Sequence, residues 1–175
     1  MLLASRSSPA RLRSAPHWSL ASRPGMMKMP IQMSGHASVS TETFALQRIG
    51  HVESELQTLA DAPRQGDEGA PDAWLHIEAP FAAALRGIRS GDDLIIITWL
   101  HAANRTVLET HPRNDPANPL TGVFATRSPD RPNPLGLHRV GVRQVEGTRL
   151  RIGPLEAING TPVVDIKAAL NPEDR

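Results

Sequence analysis

With 175 residues, 39% of them hydrophobic and 21% charged, the chain has the composition of one soluble globular domain with a tail, and hardly of two. A formal charge of +1 excludes a global field for nucleic acid, so any such contact requires a local basic patch, and the absence of Cys excludes disulfides, thiolate chemistry and zinc-thiolate sites. Aromatic content is only 3% with no Tyr, and no apolar run approaches the roughly 20 residues that span a bilayer, so no membrane association is expected.

Residues 1–41 contain no Asp or Glu, while Arg6, Arg11, Arg13, Arg23 and Lys28 stand among Ser, Ala and Pro. Such a segment cannot bury a core, and residues 1–42 are expected to be a disordered basic extension. The composition also suits an organellar transit peptide. Met26, Met27 and Met29 supply the preferred explanation, a start of translation downstream of the first methionine, which fits a cytoplasmic protein.

Ordered sequence is expected over residues 43–170, with 171–175 as a tail. A first strand is predicted over residues 44–52, followed by a polar loop carrying the turn signal Ala62-Pro63-Arg64-Gln65-Gly66. Residues 74–78 alternate and predict a half-buried strand. Pro80 first and Gly87 last predict a short helix of about two turns between them. Residues 92–101, rich in Ile, predict a central strand ending at His101. The loop 102–120, with Pro112, Pro116 and Pro119, lacks periodicity and at that length predicts a functional or mobile segment.

Residues 122–137 read Gly-Val-Phe-Ala-Thr-Arg-Ser-Pro-Asp-Arg-Pro-Asn-Pro-Leu-Gly-Leu. A short strand is predicted at Val123, Phe124 and Ala125, and then a stiff extended loop, since Pro129, Pro132 and Pro134 each fix φ and restrict the preceding residue. Two guanidiniums, Arg127 and Arg131, sit in that loop. They suit an anion or planar polar group, because a stiff loop loses little entropy on binding. The residues alone leave Arg127 evenly open between a ligand contact and a structural bond to its own loop's carbonyls.

Residues 137–145 and 148–152 alternate apolar with basic residues and predict a hairpin with one face in the core and one in water; Arg149 and Arg151 read as a solvated face. A last strand, residues 163–167, carries Asp165 and Lys167 two apart, on one face, where they can pair with each other. Many short strands and one or two short helices predict an all-β fold, a small closed β-barrel or compact sandwich. Phosphate-binding and dinucleotide loops are absent, and His101, His111 and His138 are too dispersed to read as a metal site, so no metal is expected.

The segment 122–137 resembles the signature of the TsaA-like, or TrmO, family of S-adenosylmethionine-dependent tRNA methyltransferases. Three further segments agree in order and approximate spacing: Pro63-Arg64-Gln65, Trp99-Leu100-His101, and residues 159–167. The resemblance implies a small closed β-barrel that binds S-adenosyl-L-methionine as a homodimer, with the cofactor near the interface. It implies methylation of N6 of N6-threonylcarbamoyladenosine beside the anticodon, so the tRNA anticodon loop is the implied partner. Carried over position by position, it implies cofactor contacts at Arg64, Gln65, Gly66, His101, Ala102, Arg127, Leu137, Gly153, Pro154, Leu155 and Glu156. No catalytic residue is assigned; Asp165 and His101 are candidates to take the proton from the acceptor nitrogen. Arg131, His138 and Arg139 are candidates to hold the anticodon-loop backbone or the threonine carboxylate. The sequence departs from the pattern in two places. It stops at Arg175, whereas family members with an additional C-terminal domain continue, and Ala168-Ala169 follow Lys167 where a proline and an aromatic residue are common. The second change leaves less surface for stacking an unpaired base.

Overall fold

The computed structural model describes residues 42–170. The expectations for the basic extension and for the 171–175 tail fall, apart from Glu42, outside the described residues. From Thr43 onward the chain forms a compact unit built on one closed barrel.

Six strands close the barrel in the order β1-β2-β7-β6-β3-β8: β1 Gly50–Glu53, β2 Ala73–Ile77, β7 Arg149–Gly153, β6 Leu135–Glu146, β3 Asp93–Trp99 and β8 Pro162–Ala168. Between β3 and β6 the two-residue strands β4, Glu109–Thr110, and β5, Thr121–Gly122, pair with each other outside it. Every pairing is antiparallel, and closure leaves the barrel without a free edge. The period of two does the sorting. Along β2 and β3 alternate residues are buried, and β6 buries Gly136, His138, Val140 and Val142 in turn. The core so formed includes Val52, Leu75, Ile96, Val140, Val142, Leu150, Ile152, Leu155 and Val163.

Strand β6 serves two neighbours. Its first half, from Leu135 to Gly141, pairs with β3, and from Gly141 onward it pairs with β7, with a bulge at Arg143 between Val142 and Gln144. The bulge bends the strand round the barrel. A two-residue turn, Gly147 and Thr148, joins β6 to β7, and Gly147 adopts φ +59°, which a glycine tolerates without strain. The predicted hairpin, the central strand and the last strand are all present. Arg149 and Arg151 lie on the outer face: Arg149 stacks 4.4 Å over the Trp74 ring, and Arg151 stands 3.5 Å from Asp72.

Two local expectations are corrected. The first strand spans only Gly50–Glu53, because residues 44–48 have no ladder partner and are exposed; Ile49 alone reaches back, donating to the Val163 carbonyl and accepting from the Glu78 amide. Val123–Ala125 is a 3₁₀ turn and not a strand, closed by the Thr126 amide on the Val123 carbonyl. The short helix expected after β2 is present as a seven-residue 3₁₀ stretch, Ala79–Leu85, that buries Leu85 alone. Three further 3₁₀ turns, Gly66–Glu68, Pro112–Asn114 and Val123–Ala125, all lie in loops.

Candidate functional site

Strand β3 leads to a cavity at each end. At its start, a cavity of about 710 Å³ is lined by Ile49, Phe81, Ile88, Asp92, Asp93 and Asp165, among others. At its finish, one of about 890 Å³ opens among the loops after β1, β3, β5 and β7, and it gathers most of the residues singled out from the sequence. Arg64, Gln65, His101, Ala102, Arg127, Leu137 and Glu156 all line it. A volume in the range of about 300–1,000 Å³ with apolar walls and a few convergent polar groups is the usual form of a small-molecule site.

Two devices shape this mouth. On one side the loop after β3 is tied to the proline-rich loop: the Asn104 amide donates to Asp130 at 2.7 Å, Arg105 Nε donates to the Pro132 carbonyl at 3.1 Å, and the Arg105 guanidinium lies 5.2 Å over the Trp99 ring. On the other side Arg113 pairs with Glu68 at 2.9 Å and so joins the Pro112–Asn114 turn to the turn that follows Gln65. Arg113 and Asn114 both have positive φ, 60° and 55°, a conformation that costs non-glycine residues energy and that the surrounding bonds must hold. His111 and Asn118 supply such bonds, Nδ1 of the former to the Asn118 carbonyl and Nδ2 of the latter to the Pro112 carbonyl.

The two arginines of residues 122–137 have separate tasks. Arg131 holds the loop, donating to the carbonyls of Ser128, Val123 and Thr126 at 2.8, 3.1 and 2.7 Å. Its Nε and Nη2 are thus committed to the loop backbone, a structural task that the expectation of an RNA contact did not include. Arg127 is exposed and, among the described residues, makes no hydrogen bond or ion pair; Arg64 is the same. Both remain available to a ligand. Arg131→Ala is expected to cost about 2 kcal/mol of stability in urea unfolding, because it removes three loop bonds and leaves the Ser128 and Thr126 carbonyls without a donor among the described residues, while Val123 keeps its bonds from Thr126.

Glu156 is the anionic counterpart. Burial pushes its carboxyl up, but the hydrogen bond from His138, together with attraction from His138 and then Arg127, outweighs burial and holds it below its ordinary value. His138 is itself buried, bonded through Nδ1 to Glu156 at 2.8 Å and through Nε2 to the Thr98 hydroxyl at 2.9 Å. It cannot reach an anticodon loop, which corrects that expectation. Arg139 points away from the site and pairs with Asp93 at 2.9 Å.

Some expected residues are not brought to the cavity wall. Leu155 is fully buried in the core, and Gly153 and Pro154 support the turn from behind, the Pro154 carbonyl packing on Gly66. Gly66 in turn lies against Glu156, where a Cβ would stand 3.2 Å from Oε2. Asp165 lines the other cavity and pairs with Lys167 at 2.7 Å, a hydrogen bond that lowers its pKa, so it is not placed to serve this site. Sequence reasoning missed Thr98, and it assigned His138 to RNA and Gly136 to the loop without seeing that both meet Thr98 and that His138 holds Glu156; the signal was a histidine at an inward position of an apolar strand. Among the described residues no group of three or more metal-ligating side chains could hold an ion.

Residues 51–175 match the family of the tRNA-methyltransferase O N-terminal domain. The chain is 44% identical over 130 residues to a probable S-adenosyl-L-methionine-binding protein of Pyrococcus horikoshii, covering 72% of this chain and 82% of that protein. It is 34% identical over 137 residues to the tRNA (adenine(37)-N6)-methyltransferase of Escherichia coli, covering 73% of this chain and 58% of that enzyme. The crystal structure of TrmO from Pseudomonas aeruginosa matches with a TM-score of 0.59 and 28% identity, covering 74% of this chain and 57% of that one. The chain thus spans a little over half the length of those two methyltransferases. A family match over most of the chain, with the barrel and the gathered motifs, shows that it belongs to the TrmO N-terminal-domain family.

Proposed function

We propose that the protein is an S-adenosyl-L-methionine-dependent methyltransferase acting on N6 of N6-threonylcarbamoyladenosine next to the anticodon of tRNA. One observation carries the reading: two unpaired guanidiniums, Arg64 and Arg127, and one carboxylate, Glu156, converge on a cavity with leucine and proline walls at a barrel mouth. That donor set fits a zwitterionic amino-acid moiety joined to a flat nucleoside. The guanidiniums suit its carboxylate and Glu156 suits its ammonium or hydroxyl donors. When bound, the cofactor supplies a methyl group already activated on a sulfonium.

What the chain must then do is position and dehydrate. The cavity walls would hold the acceptor beside the bound cofactor and exclude water. The acceptor nitrogen would have to give up its proton to a group of this chain as it is methylated. His101 lines the cavity with its ring unbonded among the described residues and is the group placed to accept that proton; Asp165 is not. Phe124, 81% exposed, and Leu137, 57% exposed, leave apolar surface beside the site, which supports a homodimer joined there. The setting is a cytoplasmic one, where tRNA carries the modification. Among the described residues no helix is long and apolar enough to cross a membrane.

The relatives named only for S-adenosylmethionine binding include one at 44% identity against 34% for the Escherichia coli enzyme, which favours a second reading: the same cofactor site with another methyl acceptor. Incubation with labelled S-adenosylmethionine and tRNA bearing threonylcarbamoyladenosine separates the two. Label is expected in that nucleoside on mass spectrometry. Cofactor binding without transfer to that RNA would leave the second reading.

A further inference from the structure

We propose that Thr98 and His138 form a buried relay that fixes the Glu156 carboxylate toward the cavity, making His138 a positioning residue for the cofactor. The inference rests on the cofactor reading above and extends it to residues that no motif marks.

The inward row of β6 should be apolar, and Val140 and Val142 are. His138 interrupts it with a side chain only 4% exposed. An imidazole at such a place is stable only if both ring nitrogens are bonded, and both are: Nδ1 to Glu156 Oε1 at 2.8 Å, Nε2 to Thr98 Oγ1 at 2.9 Å. Nδ1–H donates to the carboxylate, and the Thr98 hydroxyl, which can donate or accept, satisfies Nε2 whichever charge the ring carries. Thr98, fully buried on β3, thereby fixes the orientation of the ring. With Oε1 held by His138, the second oxygen, Oε2, is left for a ligand, on the Gly66 side of the cavity.

Gly136 makes the arrangement possible. It lies between the two groups, and a Cβ there would overlap both Thr98 Oγ1 and His138 Nε2 and stand 3.1 Å from Leu100 Cδ2. The glycine that ends the proline-rich loop thus admits the relay, connecting that loop to Glu156 through the barrel interior. Burial alone requires two partners for the ring; it does not require that one of them be a carboxylate whose other oxygen is left toward a cavity.

Two isosteres separate orientation from packing. His138→Asn places an amide nitrogen near Nδ1 and keeps the bond to Glu156; His138→Gln places it near Nε2 and loses that bond. Calorimetric titration of the full chain with S-adenosylmethionine is expected to show His138→Asn within about threefold of wild type and His138→Gln weakened about tenfold. Thermal unfolding should shift alike in the two. Thr98→Val, which keeps the shape and removes the hydroxyl, should also weaken binding several-fold, and His138→Gln should add nothing in a Glu156→Gln background. Equal affinities in the two isosteres overturn the relay while leaving the cofactor reading standing. A folded wild type that does not bind S-adenosylmethionine overturns both.

Discussion

Arg127→Ala is expected to weaken S-adenosylmethionine binding by about tenfold to a hundredfold, the range of a lost charge-assisted hydrogen bond, with little change in stability. The split follows from the structure. Arg127 is exposed and unpaired among the described residues, so its removal orphans no protein group, and it lines the same cavity as Glu156. Arg127→Lys should restore only part of the affinity, because an ammonium offers a point charge where a guanidinium offers a planar fork. Arg131→Ala provides the contrast: it should lower the unfolding midpoint first, since its three bonds are all to loop carbonyls. Calorimetry for affinity and urea unfolding for stability, applied to both variants, read the two effects separately. An Arg127→Ala protein that binds as wild type does would remove the guanidinium from the site and with it the main support for the cofactor reading.

Those two arginines also show where sequence reasoning reached its end. Residues 122–137 identify a stiff, basic loop because prolines constrain φ whatever surrounds them, but nothing local distinguishes which guanidinium turns inward. The backbone decides it: Val123–Ala125 winds into a 3₁₀ turn whose Val123 carbonyl, besides accepting from Thr126, accepts from Arg131, and a strand there would have directed that carbonyl into a ladder. Period-two alternation made β2, β3 and the β6–β7 hairpin legible, because each has one face in the core. It failed at residues 44–48, whose apolar residues have no partner strand. The gathered motifs share one feature that spacing cannot display, namely that the loops after β1, β3, β5 and β7 all open at the same end of the barrel. The pairing of His138 with Thr98 stayed hidden for a related reason. The two are 40 positions apart, and only the β3–β6 register, which aligns Thr98 with Gly136, brings them together.

Closure of the barrel rests on its shortest member, and Gly50→Ala is expected to cost about 2–3 kcal/mol there, the range of an overpacked core site. Strand β1 has four residues, and Gly50 stands in both of its ladders, opposite Ile77 of β2 and Val163 of β8. A Cβ on Gly50 would overlap the His76 carbonyl oxygen and stand 3.0 Å from Ile77 Cδ1 and 3.2 Å from the His76 carbonyl carbon. The first of these is backbone in the adjacent ladder, so it cannot yield by changing rotamer. The backbone at Gly50 is not left-handed, so the cost is steric and not conformational. Relief would have to come from the seam itself, by lengthening the β1–β2 bonds or slipping β1 from β8, and either opens the barrel next to Ile49 and Val52 of the core. Gly122→Ala is the control: a Cβ there meets only the Leu108 carbonyl oxygen, at 4.0 Å, and should change stability by no more than about 0.5 kcal/mol. Urea unfolding of the two variants beside wild type measures the difference, and equal midpoints would show that β1 does not close the barrel at Gly50.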